Sequence, residues 1–522
     1  MFNVADLFEL VVDAVPDREA FVCGDRRLTF AQLDERANRL ASWLASQGVS
    51  DGDHVGLYLY NSTEYIEGML AAFKLRAVPV NVNYRYVAEE LRYLFADADL
   101  VALIHEESFA PLIEEIHADL PLLRTTVARG AAYEAALASA SPERLDIQRS
   151  GDDVYILYTG GTTGMPKGVM WRQEDVFFAA FGGGDLATPE AIGERAEKGR
   201  TRCLPACPFM HGTAHWMAFS TWYGGGSVVV ADTPHLEPAT MWRLVADEKI
   251  TFLVIVGDAF ARPMVDALRD RSASGEDAYD LSTLSVILSG GAILSPAVKD
   301  ALLGELPGVI VVDGYGASET GGQGQMVAAP GAAAGARPRF HMGPETLVVD
   351  DDLKPVVAGS GVVGRLARKG RVPLGYYKDE EKSAATFPVI GGERWSVPGD
   401  LATVEEDGTI TLLGRGSVSI NTGGEKVFPE EVESVLKAHP SVFDVVVVGV
   451  ADDRWGQRVT AVVSLRPGVE EPTLDELVTH CRASIAGYKV PRSLVLVDSI
   501  VRSPSGKPDY RWAKAEAEKQ LA

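Results

Sequence analysis

The chain has little cysteine, no basic excess and no long apolar run, and each shortage closes a class of function. Four cysteines in 522 residues, Cys23, Cys203, Cys207 and Cys481, are too few and too scattered for a disulfide framework and point to a reducing cytoplasm. No second pair follows Cys203 and Cys207 at zinc-ligand spacing. Acidic residues outnumber basic ones, 73 to 49, for a formal net charge of -24. That balance argues against nucleic acid or an anionic membrane as a partner, because both select basic surfaces. A polyanionic ligand must instead find a local basic pocket. No stretch reaches the roughly 18 consecutive apolar residues of a membrane-spanning helix. The opening MFNVADLFELVVDAVPDREA carries acids and lacks the basic start of a signal peptide, so it reads as an amphipathic helix.

What is present is ordinary for a globular enzyme, with 46% apolar and 23% charged residues. Single cores stop growing near roughly 250 to 300 residues, so this length predicts at least two domains. Helix and strand patterns alternate: LTFAQLDERANRLASWLASQGV with Leu33, Leu40 and Leu44 on one face, then HVGLYLY, EYIEGMLAAFKLRAVPVNVN, TMWRLVADEKITFLVIV, LSVILSGGA and LPGVIVVDGYG. The alternation predicts an α/β fold, with parallel sheets flanked by helices and ligands at the strand carboxyl ends. Segments 188–202, 269–280 and 328–339 read as surface loops. After residue 414 the texture shifts to a compact α+β unit of FDVVVVGV, TAVVSLR, TLDELVTHCRASIAG and LVLVD, placing a boundary near Arg415 to Ser417. The expected domains are 1–415 and a smaller mobile 416–522.

The most telling stretch is YILYTGGTTGMPKGVMW, from residue 155. Val154 to Tyr158 is apolar and aromatic, a buried strand that Thr159 to Gly168 cannot continue. Glycines let backbone N–H groups face a ligand, threonines add hydroxyls and Lys167 adds charge, which together make a nest for phosphate oxygen. The pattern differs from the P-loop GxxxxGK[ST], because Pro166 precedes Lys167 and Gly168 follows it.

YTGGTTGMPKG, GYGASETG, PGD (398–400), GRGSVSINTGGEKVFPEEVE (414–433) and SPSGKPDYRW (503–512), in that order, resemble the successive signatures of acyl-adenylate-forming enzymes. The resemblance runs from about residue 5 to the end. The wording GGTTGMPKGVMWR, GRGSVSINTGGEKV, IAGYKVPRS and SPSGKPDYRWAK is also similar to actinobacterial ligases that join CoA to fatty acids or steroid side-chain acids. It implies an ATP-dependent acyl-CoA synthetase that forms acyl-AMP and pyrophosphate, then acyl-CoA and AMP, with ATP, Mg2+ and CoA as reactants and cofactor.

By that resemblance Thr159, Gly160, Gly161, Thr162, Thr163, Gly164 and Lys167 would hold the β and γ phosphates. Glu319 and Thr162 would hold Mg2+. Tyr315 would stack on adenine, with Gly290, Gly291 and Ala292 beneath it and Asp313, Gly314, Gly316 and Ser318 around it. Asp400 would take the ribose hydroxyls, which suit two carboxylate oxygens, and Arg415 would close from the far side. Lys507 would bridge the carboxylate and the α-phosphate, and Gly423 and Gly424 would line the pantetheine channel after rotation about Ser417. The chain departs from the usual pattern at Gly160 for serine, Asn421 for lysine and Ser417 for aspartate or lysine.

PACPFMHGTAHWMAF would wall the acyl pocket with Met210, His211 and Trp216, although Met210 and Trp216 equally suit a core. His211 and His215 lack the glutamate of HExxH, which argues against zinc. No aspartate occurs from Cys203 to Ala231 to meet a substrate ammonium, which favours an apolar acid over an amino acid. Partners are expected to be small molecules, with a homodimer left open. The rival readings are a stand-alone enzyme that loads a carrier protein, a luciferase-like oxygenase and a non-catalytic nucleotide-binding protein.

Overall fold

The computed structural model describes residues 2–159, 165–328, 339–422, 425–452, 454–503 and 506–521, without the side chains of Arg415 and Ser417. The expected alternation is present. Phe30–Ser46, Thr63–Lys74 and Pro238–Asp247 are helices, and His54–Tyr58, Val78–Asn81, Phe252–Ile255 and Val286–Gly290 are strands. The amphipathic start forms the helix Val4–Ala14, capped by Asn3, whose buried side chain accepts from the N–H groups of Ala5 and Asp6.

The largest sheet is parallel through Glu19–Cys23, Ser227–Val230, Arg202–Pro205, Phe252–Ile255, Val286–Gly290 and Ile310–Ala317. It turns antiparallel at Gly321–Ala328 and continues through Arg339–Met342, Ile410–Arg415 and Asp400–Val404. A second parallel sheet joins Val78–Asn81, His54–Tyr58, Leu100–His105 and Thr125–Ala128. Apolar strands with covering helices bury both sheet faces, and Trp171, Trp222 and Trp242 are among the largest side chains sealed inside.

Three expectations change, the first being that residues 269–273 of the expected loop 269–280 end the helix Gly257–Ala273. Among the described residues, the strand before the glycine stretch belongs to no parallel sheet. Val154–Thr159 pairs antiparallel with Lys167–Arg172, so Thr159 ends one strand and Lys167 opens the next, directly opposite it. The cause lies in the residues after Pro166, because Val169 and Trp171 are buried while Met170 and Arg172 between and beyond them are not, the two-residue period of a strand. Segment 188–202 is not all loop: Ala191–Lys198 is a helix, seated by the buried Ile192 and Ala196. Of segment 328–339, residues 329–338 lie outside the described residues.

Beyond Ile410–Arg415 comes a sheet of Ile420–Thr422, Glu425–Val427, Val442–Asp452, Gly456–Leu465 and Ser493–Leu496. Its two faces carry separate apolar cores: Val432, Leu436, Val445, Val447 and Leu477 on one side, and Val446, Val448, Val462, Ala513 and Ala517 on the other.

The large body is also held by buried charge. Lys74, 1% exposed, donates to Glu9 at 2.5 Å and pairs with Asp34 at 2.6 Å, tying together the first three helices. Removing one partner from such a pair leaves the others desolvated and unmatched, so Lys74→Ala is expected to cost roughly 3–5 kcal/mol. Urea unfolding monitored by tryptophan fluorescence checks this, and a loss under about 1 kcal/mol contradicts it.

Candidate active site

Lys167 emerges on the return strand of the glycine hairpin, one third exposed, with its ammonium on the Asp379 carboxylate and 5.9 Å from the Tyr376 ring centre. The Lys167 hydrogen bond holds the Asp379 carboxyl below its ordinary range. Tyr376 lies on the short strand Gly375–Tyr376, which pairs with the return strand at Val169 and Met170. Its hydroxyl donates to Glu319 Oε1 at 2.9 Å. The hairpin lysine and the glutamate are therefore joined through one tyrosine. Gly160, Gly161, Thr162, Thr163 and Gly164 lie outside the described residues.

Glu319 sits in the turn between Ile310–Ala317 and Gly321–Ala328, and its surroundings fix that turn from three sides. The Trp171 indole donates to the Ser318 carbonyl at 2.9 Å, Ser396 Oγ donates to the Glu319 carbonyl at 2.6 Å, and Arg368 donates to the carbonyls of Thr320 and Gly322. A turn held by its backbone leaves its carboxylate positioned at little further entropic cost.

Next to this turn opens a cavity of about 550 Å3, lined by Gly291, Ala292, Asp313, Gly314, Tyr315, Gly316, Asp400 and Lys507. Gly291 has φ +87°, a conformation that side chains rarely adopt, and a Cβ on Gly316 would meet the Gly321 carbonyl oxygen at 2.3 Å. Gly290 pairs with Gly314 across the adjoining strands. Tyr315 rests against the Phe340 ring, centroids 6.3 Å apart. Asp313 is paired inside the wall: Lys299 Nζ donates to it at 2.9 Å, while burial pushes its carboxyl above the ordinary value. Ser318 does not line this cavity, and its carbonyl serves the turn. Asp400 stands directly across the strand pair from Arg415, as the two motifs require if they serve one ligand. Gly423 and Gly424 lie outside the described residues.

Lys507 reaches this cavity from a small loop. Ser503 N–H donates to the Lys507 carbonyl at 2.8 Å, Gly506 N–H donates to the Ser503 carbonyl at 2.8 Å, and Arg502 and Pro508 form a bridge. Gly506 has φ +74° and packs on the large body, where a Cβ would meet Ala259 Cβ at 3.1 Å and the Val256 oxygen at 3.2 Å.

Met210 is buried and its carbonyl accepts from Asn81 at 2.7 Å. Trp216 is almost wholly buried and its indole donates to the Tyr155 hydroxyl at 3.0 Å. That hydroxyl lies 2.5 Å from His215 Nε2, while His215 Nδ1 meets the Phe209 carbonyl at 2.7 Å. A carbonyl only accepts, so the proton is on Nδ1 and Tyr155 donates to Nε2. Burial pushes this imidazole down to about 4, so it stays neutral. His215 is thus a core hydrogen-bonding residue. His211 differs, since its Nε2 is buried without a hydrogen-bond partner among the described residues. Burial first, then the charge of Lys507, pushes its imidazole down to about 3. Among the described residues no three His, Cys, Asp or Glu side chains converge as a metal site.

Sequence reasoning missed Tyr376, Asp379, Lys299 and Arg502. Arg502 stood one residue before a quoted motif, and Asp379, in LGYYKDE after Gly375, falls in none of the quoted motifs.

Comparison with known proteins fits this geometry. Residues 8–377 match the family model described as AMP-binding enzyme, and residues 431–507 match the AMP-binding enzyme C-terminal domain. The chain is 51% identical over 531 residues to a 3-oxocholest-4-en-26-oate–CoA ligase of Rhodococcus rhodochrous, covering 98% of this chain and 95% of that protein. It is 49% identical over 542 residues to a medium/long-chain-fatty-acid–CoA/3-oxocholest-4-en-26-oate–CoA ligase of Mycobacterium tuberculosis, covering 100% and 97%. Among solved structures, an anthranilate CoA ligase in complex with anthranoyl-AMP superposes with a TM-score of 0.86 at 26% identity, covering 100% of this chain and 98% of that one. The ordered motifs, the shared cavity and matches spanning nearly the whole chain lead to one conclusion: this chain belongs to the AMP-binding enzyme family of acyl-adenylate-forming proteins.

Proposed function

We propose that the protein is an ATP-dependent, AMP-forming acyl-CoA synthetase acting on an apolar carboxylic acid, either a medium- or long-chain fatty acid or a steroid side-chain acid. The observation that carries this reading is that Lys507, from the C-terminal segment, lines the same cavity as Tyr315 and Asp400 of the body. The carboxylate attacks the α-phosphorus of ATP, pyrophosphate leaves, and an acyl-AMP anhydride forms. The CoA thiol then attacks the acyl carbon, AMP leaves, and the thiol proton passes to solvent.

In this reading the residues from Thr159 to Gly164, with Lys167, clamp the leaving pyrophosphate. Lys167 would exchange Asp379 for phosphate oxygens, a trade of one anion for another at a partly exposed site. Tyr315 and the glycines at 291, 314 and 316 would receive adenine, with Ala292 and Asp313 in the same wall and Gly290 paired to Gly314, and Asp400 with Arg415 would hold the ribose. Lys507 would sit where negative charge gathers as the carboxylate approaches the phosphate. The Nε2 of His211, without a hydrogen-bond partner among the described residues and beside the charge of Lys507, supports a place for it next to the reacting carboxylate.

Glu319 suits Mg2+, since one hard oxygen donor plus substrate phosphates is a common way for that ion to be held. Tyr376 donates to Oε1, and the Glu319 carboxylate would hold the ion together with Thr162. Bound there, Mg2+ would neutralise charge on the triphosphate. The second half-reaction requires Lys507 to withdraw, which supports domains of 1–415 and 416–522 hinged near Ser417, with Gly423 and Gly424 brought to the thiol channel. Four free, buried cysteines accord with a cytoplasmic setting.

Lys507→Ala is expected to lower acid-dependent ATP–pyrophosphate exchange by about 10²–10³, while supplied acyl-AMP still reacts with CoA. An equal loss in both assays contradicts the assignment. Pyrophosphate release should require an apolar acid, ATP and Mg2+ together, and should stop on addition of EDTA. Release driven by amino acids would move the protein to the carrier-loading class.

A further inference from the structure

The proposed function leaves open what holds Lys507 in register once it arrives. We infer that Asp444, acting through Arg502, is the positioning residue for Lys507, and that Lys437 ties this support to the body at Asp258. The inference rests on the functional reading above.

Asp444 stands on the long strand Val442–Asp452, a rigid element of the C-terminal sheet. Its two oxygens take the Arg502 fork side-on, Nε to Oδ2 at 2.7 Å and Nη2 to Oδ1 at 2.7 Å. The remaining Nη1 donates to the carbonyl of Gly506 at 2.8 Å. That carbonyl belongs to the peptide joining Gly506 to Lys507. One planar guanidinium therefore couples a strand carboxylate to the backbone from which the reactive ammonium projects. Lysine carries only a point charge and cannot keep all three bonds in one plane.

The same chain of charges continues into the body. Lys437 Nζ lies 3.9 Å from Asp444 Oδ1 and 3.3 Å from Asp258 Oδ2, and Lys437 and Asp258 are both nearly inaccessible, at 6% and 4% side-chain exposure. Asp258 Oδ1 accepts the Ser295 N–H at 2.8 Å, close to the Gly291 and Ala292 wall of the cavity. From the other side, Arg85 of the body donates to the Arg502 carbonyl at 3.2 Å. Arg502 is thus held by its side chain within the C-terminal segment and by its backbone against the body. When the C-terminal segment turns away, the links from Lys437 to Asp258 and from Arg85 to Arg502 must break, whereas Asp444 and Arg502 travel together. The support is matched to the step in which Lys507 acts.

The test uses the full-length protein with Asp444→Asn and Arg502→Lys, each assayed in two ways. One assay is dodecanoic-acid-dependent ATP–pyrophosphate exchange, and the other is thioester formation from supplied dodecanoyl-adenylate and CoA. Loss of register alone lowers kcat for exchange by about tenfold to a hundredfold, with the KM for ATP little changed. Thioester formation stays near the wild-type rate, and Asp444→Glu recovers part of the exchange. A residue that merely stabilises the fold would lower both half-reactions together, and that outcome overturns the inference. Exchange at the wild-type rate in both variants overturns it as well and leaves the functional reading standing. A wild-type protein that exchanges with no carboxylic acid at all overturns the functional reading and takes this inference with it.

Discussion

The proposed function depends on bringing one ammonium group to a nucleotide that the rest of the protein would hold. An acid and a triphosphate are both anionic, so their approach is opposed by charge until a cation stands between them. A cation fixed there permanently would block the thiol that must enter next. The chain's arrangement answers both demands. Lys507 is carried on a segment with its own apolar cores, and that segment meets the body through a few charged contacts and the close fit of Gly506.

Those contacts have the right strength for a reversible step. Lys437 and Asp258 form an almost inaccessible pair, whose Coulomb gain is largely cancelled by desolvation, so the pair directs the docked arrangement more than it locks it. Gly506 adds a steric condition, for only a residue without Cβ seats against Ala259 and the Val256 carbonyl at that backbone angle. Across the cavity the body is stiff. Glu319, Tyr376 and Lys167 are linked through a three-stranded antiparallel sheet, and the turn carrying Glu319 is pinned by Trp171, Ser396 and Arg368. On the function proposed above, a firm wall for phosphate and metal facing a movable cation would suit two successive reactions, the first at the α-phosphorus and the second at the acyl carbon.

Much of this was legible in the sequence because punctuation residues mark it. Glycines at 290, 291, 314 and 316, the strand ahead of Thr159 and the turn at Glu319 all announce themselves by local composition, and the cavity gathers most of them. The hairpin form of the glycine stretch was less visible, since a strand leaving such a loop can run either way until its partner is known. Hidden altogether were residues whose work is defined by distant partners. Asp379 meets Lys167, Lys299 meets Asp313, and Asp444 meets Arg502 across gaps in the chain that no local pattern encodes. His215 was ambiguous for a related reason. Only its contacts with Tyr155 and Phe209 reveal a core residue, while the neighbouring His211 keeps a ring nitrogen without a hydrogen-bond partner among the described residues.

The most direct measurement is a crystal structure of the protein with a non-hydrolysable acyl-adenylate analogue. The account predicts adenosine between Tyr315 and Asp400, with the Lys507 ammonium about 3 Å from the phosphate and acyl oxygens. An analogue bound away from that cavity, or a Lys507 directed into solvent while the adenylate is in place, would contradict it.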